Sequence, residues 1–162
     1  MTAILGRMPR ISLFIASSID NYIVTDDDRL AWLESAAQEG EDYGYDAFMS
    51  TVDGMAVGRG TWNHIESIDP LPFGDRRLFV FTHRPPPGDR PGVTFWERNS
   101  REDLDEWTRL GLEHIYIDGG QLIRSFLAEG LVDDFLLTKI PILLGSGKTT
   151  IVSDPPEDRT FT

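Results

Sequence analysis

The chain contains no cysteine among its 162 residues and only three histidines. Without thiols there is no disulfide framework, no thiolate nucleophile and no cysteine-based metal site. His64, His83 and His114 are scattered, and none has the H-E-x-x-H spacing that sets two imidazoles on one helix face, so no metal is expected. Positive charge is scarce as well. Fifteen Lys and Arg stand against 27 Asp and Glu, a formal charge of −12, and such a surface repels nucleic-acid phosphates while leaving room for a few local cations around a small anionic ligand. Long apolar runs are missing too. No stretch approaches the roughly 18 residues that span a bilayer. Gly6 and Arg7 break the apolar start of MTAILGRMPR, so neither a membrane segment nor a secretory leader is expected, and the cytoplasm is the expected compartment. What remains is a chain that is 40% hydrophobic, with no repeat or linker to divide it. It suits a single domain over residues 1–162 with a sizeable core.

Strand-like and helix-like segments alternate. ISLFIA (11–16) is nearly continuous in apolar residues and reads as a strand buried on both faces. A turn at Asp20-Asn21 follows, then Asp26-Asp27-Asp28, which offers capping carboxylates to a helix from about Arg29. MAVG (55–58) is a short strand leading into a helix over 59–68, and LFVFT (78–82) is another strand. HRPPPGDRPG is a proline-rich loop. Further strands are expected at 93–96, at IYID (115–118) and at 134–140, with helices over 102–110 and from Gln121 onward. Such alternation predicts an α/β class with a largely parallel sheet, whose ligands bind beyond the carboxyl ends of the strands.

Three strand ends share a form. MAVG ends at Gly58 and continues as RGTWNHI, LFVFT ends at Thr82 and continues as HRP, and IYID ends at Asp118 and continues as GGQLI. At the first and third, a helix N-terminus turns free amides and a positive dipole end toward the crevice. Gly119 and Gly120 remove side chains that would block an approaching anion, and Arg59 and Thr61 add a cation and a hydroxyl. At the middle junction Thr82, His83 and Arg84 can grip a terminal phosphate. The set suits a dinucleotide carrying a 2′-phosphate. GSGKTT (145–150) imitates the end of a P-loop, but Ile142 stands where its first glycine belongs and Pro155-Pro156 follows, so a nucleotide triphosphatase is rejected. No G-x-G-x-x-G follows the first strand, which excludes the Rossmann fingerprint.

These residues carry a family resemblance. VGRGTWNHI (57–65) resembles the G-R-x-T-W-x-x-I motif of dihydrofolate reductases, and ISLFIASSIDNYI (11–23) is similar to their first strand and turn. YIDGGQLIRSFLAEGLVDDFLLTKIPILLGSGK (116–148) resembles more closely the reductase domains of bacterial riboflavin biosynthesis. The resemblance implies a three-layer, dihydrofolate reductase-like α/β fold with a mostly parallel central sheet, helices on both faces and an antiparallel C-terminal edge. It implies an NADPH-dependent reductase acting on a small heterocyclic or ribosyl molecule, and a possible homodimer. By motif, Ala16 and Ile23 would frame the nicotinamide; Gly58, Arg59 and Thr61 would meet the pyrophosphate region; Thr82, His83 and Arg84 would surround the 2′-phosphate. Gly119, Gly120, Gln121 and Leu122 would line the middle of the cofactor, with a cis peptide between the two glycines. Ser17 and Trp32 would face the substrate, and Asp20 or Asp28 would supply the proton.

Three departures bear on substrate and assembly. Arg29 stands where the folate-binding acid of dihydrofolate reductases belongs, Asn21 replaces a glycine, and only TTIVSDPPEDRTFT remains where relatives carry a closing strand pair. No clamp for a substrate phosphate is legible. The alternative to a reductase is a module of the same fold that binds NADPH or another ligand without turnover. A purely structural or partner-binding role would leave the glycine-bearing strand ends unexplained.

Overall fold

In a computed structural model, residues 7–23, 32–33, 40–97 and 100–147 are described. Six strands form one sheet: β1 (Arg10–Ser18), β2 (Gly54–Gly58), β3 (Arg77–Phe81), β4 (Val93–Trp96), β5 (His114–Asp118) and β6 (Asp134–Ile140). Their order is β4-β3-β2-β5-β1-β6, and every pairing is parallel. Among the described residues, the helices with both ends described are α1 (Tyr45–Met49), α2 (Arg59–Ile65), α3 (Ser100–Arg109) and α4 (Gly120–Ala128).

Side chains alternate across the strands, so each strand feeds two cores. On one face Leu13 and Ile15 of β1, Ala56, Phe79 and Ile117 pack against Leu104 and Trp107 of α3 and Ile123 and Phe126 of α4. On the other, Met55 and Val57, Leu78 and Val80, and Tyr116 pack against Phe48 of α1 and Trp62 of α2. Helices therefore cover both faces in three layers, which explains why β2 and β3 are apolar without alternation. The antiparallel C-terminal edge is not among the described strands: β6, the last of them, runs parallel to β1, and residues 148–162 lie outside the described residues. Helix α1 was not expected from the sequence. It is five residues long, preceded by Gly44 at φ 86°, and Asp42 organises its start by accepting from the amides of Gly44 and Asp46 at 3.0 Å each.

Below the sheet, at the amino ends of β1 and β5, a polar network surrounds His114. The Thr51 hydroxyl donates to Phe48 O at 2.7 Å, which leaves Thr51 Oγ1 and Thr51 O to accept from Nδ1–H at 3.0 and 3.2 Å. Nε2 lies 2.7 Å from Ser12 Oγ, whose hydroxyl is also placed to donate to Asp134 Oδ2 at 3.2 Å. Burial pushes the His114 pKa below the ordinary imidazole value, the Thr51 bond opposing it. Folding thus disfavours the proton, so the unfolded chain binds more protons just below the ordinary imidazole value of 6.5. Stability should fall as pH drops from 7 through that value and stop falling below the folded-state pKa. Urea unfolding between about pH 5 and 7 should show this slope, and His114→Gln should flatten it; equal slopes in both proteins would contradict the assignment.

Candidate functional site at the carboxyl ends of the strands

All six strands end at the same edge, and the chain changes winding direction between β2 and β5. Helix α2, leaving β2, packs on one face, while α4, leaving β5, packs on the other. Two helix N-termini therefore open side by side at a switch in strand order, where crevices form in parallel sheets. Both are preceded by glycine. Gly119 caps α4 at φ 113°, ψ 127°, a conformation that side chains resist. A Cβ there would lie 3.1 Å from Gly58 N and 3.4 Å from Thr61 Oγ1. Gly58, the N-cap of α2, has the opposite surroundings: a Cβ on it would meet nothing within 4 Å. The doubled glycine is thus needed at position 119 so that the two helix starts can meet, and the open space lies over Gly58.

The third junction is tied to the first. Arg59 donates through Nη1 to Arg84 O at 2.8 Å and through Nε to Asn63 Oδ1 at 2.9 Å. Thr82 accepts from the Arg84 amide at 3.1 Å, closing a small turn that leaves the Arg84 side chain exposed. His83 Nδ1 lies 2.8 Å from Glu97 Oε1, and both side chains are largely in solvent. Arg59, Thr82, His83 and Arg84 are therefore brought together along one rim.

A cavity of about 340 Å³ lies at the ends of β1 and β6, across β5 from that rim. Phe14, Ala16, Leu33 and Ile140 give it apolar walls, and Glu41, Asp42, Tyr43, Tyr45 and Thr138 complete it. Ala16 and Thr138 are register partners, so the cavity opens where β6 meets β1. Phe14 stacks on Phe48 at 5.1 Å and meets Tyr45 edge-on at 5.7 Å, which fixes the aromatic wall. Asp118, the last residue of β5, is half-buried. Desolvation raises its pKa above the usual carboxylate value, against the lowering effect of the Gly119 amide. Its charge reaches Tyr45, whose phenol is shifted up by burial, with the Arg76 charge opposing and Asp118 adding a smaller push upward.

The expected proton donors fare differently. Asp20 Oδ1 accepts from Ser18 Oγ at 2.5 Å and from Leu144 N at 3.2 Å, while Oδ2 accepts from Gly145 N at 2.8 Å. The Ser18 bond, followed by the Gly145 and Leu144 amides, holds its pKa below the ordinary value. Asp20 is therefore a clamp between the turn after β1 and the loop after β6, and it is poorly suited to release a proton. Asp28 lies outside the described residues. Ser17 follows Ile15 on the α3/α4 face, is buried and donates to Ser18 O at 3.1 Å, so it does not line the cavity. Trp32 is buried, and its neighbour Leu33 supplies the wall instead. Ile23 packs against the α3/α4 core, and Leu122 is buried within that core. Gln121 is exposed. Beyond its place at the head of α4, Gly120 is not described, so the expected cis bond lies outside the described residues.

Asp118, Tyr45 and the cavity walls other than Ala16 were missed from sequence. The available signal was an acid ending the apolar strand IYID beside two glycines, together with Tyr45 and Phe48 spaced i, i+3.

Comparison with known proteins agrees with this architecture. The family described as RibD C-terminal domain matches residues 91–161. Protein YwjB of Bacillus subtilis (strain 168) is 36% identical over 137 residues, covering 83% of this chain and 78% of its own length. YyaP of the same organism is 25% identical over 159 residues, 90% of this chain and 82% of its own. A crystal structure from Shewanella sp. PV-4, named for riboflavin biosynthesis, superposes with a TM-score of 0.78 at 33% identity, covering 87% of this chain and 82% of that one. Acinetobacter baumannii RibD superposes with a TM-score of 0.69 at 18% identity, covering 93% of this chain and 51% of its own, and shows the fold alone. With its sheet, its paired glycine helix starts and these relatives agreeing, the chain belongs to the RibD C-terminal domain family.

Proposed function

We propose that the protein is an NADPH-dependent reductase that delivers hydride to a small heterocyclic or ribosyl substrate. The observation that carries this reading is the meeting of two glycine-led helix starts at the β2/β5 switch, beside an arginine-bearing third junction and an aromatic cavity. The donor set fits the cofactor. Gly58 leaves open space at a helix start, Gly119 lets the second start close on it, and Arg59 and Arg84 bring positive charge to a chain of formal charge −12. Arg59, Thr61, Gly119 and Gly120 would hold the pyrophosphate region, and Thr82, His83 and Arg84 the 2′-phosphate. Ala16 and Ile23 would border the nicotinamide, with the α4 start at Gln121 and Leu122 along the middle. When bound, NADPH supplies a hydride to the carbon of a C=N or C=O bond and leaves as NADP⁺, while the heteroatom takes a proton.

The chain's own groups supply the rest. Phe14 and Tyr45 orient a flat ring, the apolar walls exclude water, and Asp118 holds a proton at its carboxyl at higher pH than an ordinary aspartate. Titration calorimetry with NADPH and NADH tests the cofactor assignment. Arg84→Ala should weaken NADPH binding roughly tenfold, the worth of one exposed charge-assisted contact, and leave NADH nearly unchanged. Equal losses for both cofactors would move the phosphate contact elsewhere.

A further inference from the structure

The segment HRPPPGDRPG (83–92) joins β3 to β4. The two strands are parallel, so it must carry the chain from the carboxyl edge of the sheet back to the amino edge. It makes that return as an irregular run tied to α2 at both ends. At the carboxyl edge Arg59, the first residue of α2, donates to Arg84 O at 2.8 Å. At the other end of the helix Arg90 donates through Nη1 to Glu66 O and through Nη2 to Ile68 O at 2.7 Å. Glu66 is the C-cap of α2, so the cation also meets the negative end of the helix dipole. The Arg90 guanidinium lies 5.4 Å from the centre of the Trp62 ring, whose edge packs on Phe95 of β4 at 5.4 Å. Arg90 O accepts from Val93 N at 3.1 Å, where β4 begins. Between the two ties Pro85, Pro86 and Pro87 each fix φ, so the segment is stiff and its lower tie constrains its upper end.

We infer that Arg90 is a positioning residue for the cofactor's 2′-phosphate: by tying the 83–92 segment to the far end of α2 it sets where Arg84 stands, and with it the preference for NADPH over NADH. This rests on the cofactor reading above. Arg90 sits at the opposite end of α2 from the crevice and acts only through Arg84. A residue that merely held the loop for stability would affect both cofactors alike.

The test is calorimetric titration of the full chain and its variants with NADPH and with NADH. Arg90→Met keeps an apolar contact for Trp62 but donates nothing to Glu66 O or Ile68 O. It should weaken NADPH about fivefold, because only a fraction of the chains then hold Arg84 in place, and leave NADH within about twofold. Arg90→Lys keeps the charge and the reach to one carbonyl, so it should lose less NADPH affinity, again with NADH unchanged. Combining Arg90→Met with Arg84→Ala should weaken NADPH no further than Arg84→Ala alone, since one residue acts through the other. Arg77→Met, which removes a charge at the amino end of β3, should alter neither cofactor. Equal losses for both cofactors, losses that multiply in the double variant, or unchanged NADPH binding in both Arg90 variants would each overturn the inference and leave the cofactor reading standing. An unaltered chain that binds NADPH no better than NADH, or binds neither, would instead sink the cofactor reading, and the inference with it.

Discussion

Asp118→Asn is expected to lower turnover by about 10²–10⁴-fold, the usual contribution of a positioned acid, while changing KM little. Asparagine preserves the shape at the end of β5 but carries no titratable proton. In the unaltered chain the rate should fall as pH rises through the Asp118 pKa, which burial places above the ordinary carboxylate value, and that limb should vanish in the variant. Stability should move the other way. A carboxyl whose folded pKa is raised binds more protons when folded, so its ionised form weakens the fold as pH rises above the unfolded value. Asp118→Asn should therefore unfold at a higher urea concentration at pH 7 than the unaltered chain. A variant that is more stable and less active is the mark of a site that gives up stability for chemistry. An Asp118→Asn protein with full turnover would remove the residue from the mechanism.

The second large effect separates the two glycines that meet at the switch. Gly119→Val places a branched side chain at φ 113°, a conformation costing on the order of 1–3 kcal/mol. Its Cβ would also press on Gly58 N at 3.1 Å. Unfolding free energy should drop by at least the strain, and NADPH binding should fall below detection because the two helix starts can no longer close. Gly58→Ala is the contrasting variant. Its backbone, at φ −82° and ψ 174°, suits any residue, and its Cβ would meet nothing within 4 Å. Stability should stay within about 0.5 kcal/mol, yet NADPH affinity should fall because the methyl group occupies the open crevice. If Gly58→Ala binds NADPH as well as the unaltered chain does, the cofactor does not pass over that helix start.

Much of the architecture was legible because the sheet is parallel and doubly covered. GMAVG and RLFVF lie between two helix layers, so their uninterrupted apolar character announced central strands without alternation. The junction glycines were also readable, since only a close approach or an unusual torsion explains Gly119. What sequence could not supply was the pairing of distant segments. Asp20 looked like a proton donor because a carboxylate beside a strand end has that chemistry; only folding brings the Leu144 and Gly145 amides, more than 120 residues away, onto its oxygens. Asp118 looked like a junction residue, because the desolvation that raises its pKa comes from its surroundings and not from its neighbours in sequence. Ser17 was lost to strand parity: a position two residues beyond Ile15 faces the α3/α4 side, away from the cavity. Helix α1 fell below the length at which periodicity is visible, although it carries Tyr45 and Phe48.

One measurement bears most directly on the central claim: a crystal structure of the chain grown with NADPH. The cofactor should run along the strand tips, with pyrophosphate oxygens on the amides at Gly119 and Gly120 and beside Arg59. The adenosine phosphate should lie at Arg84, and the nicotinamide should border the cavity near Ala16. Density for NADPH at any other surface, or an ordered crevice filled by the chain's own side chains at millimolar cofactor, would contradict the account.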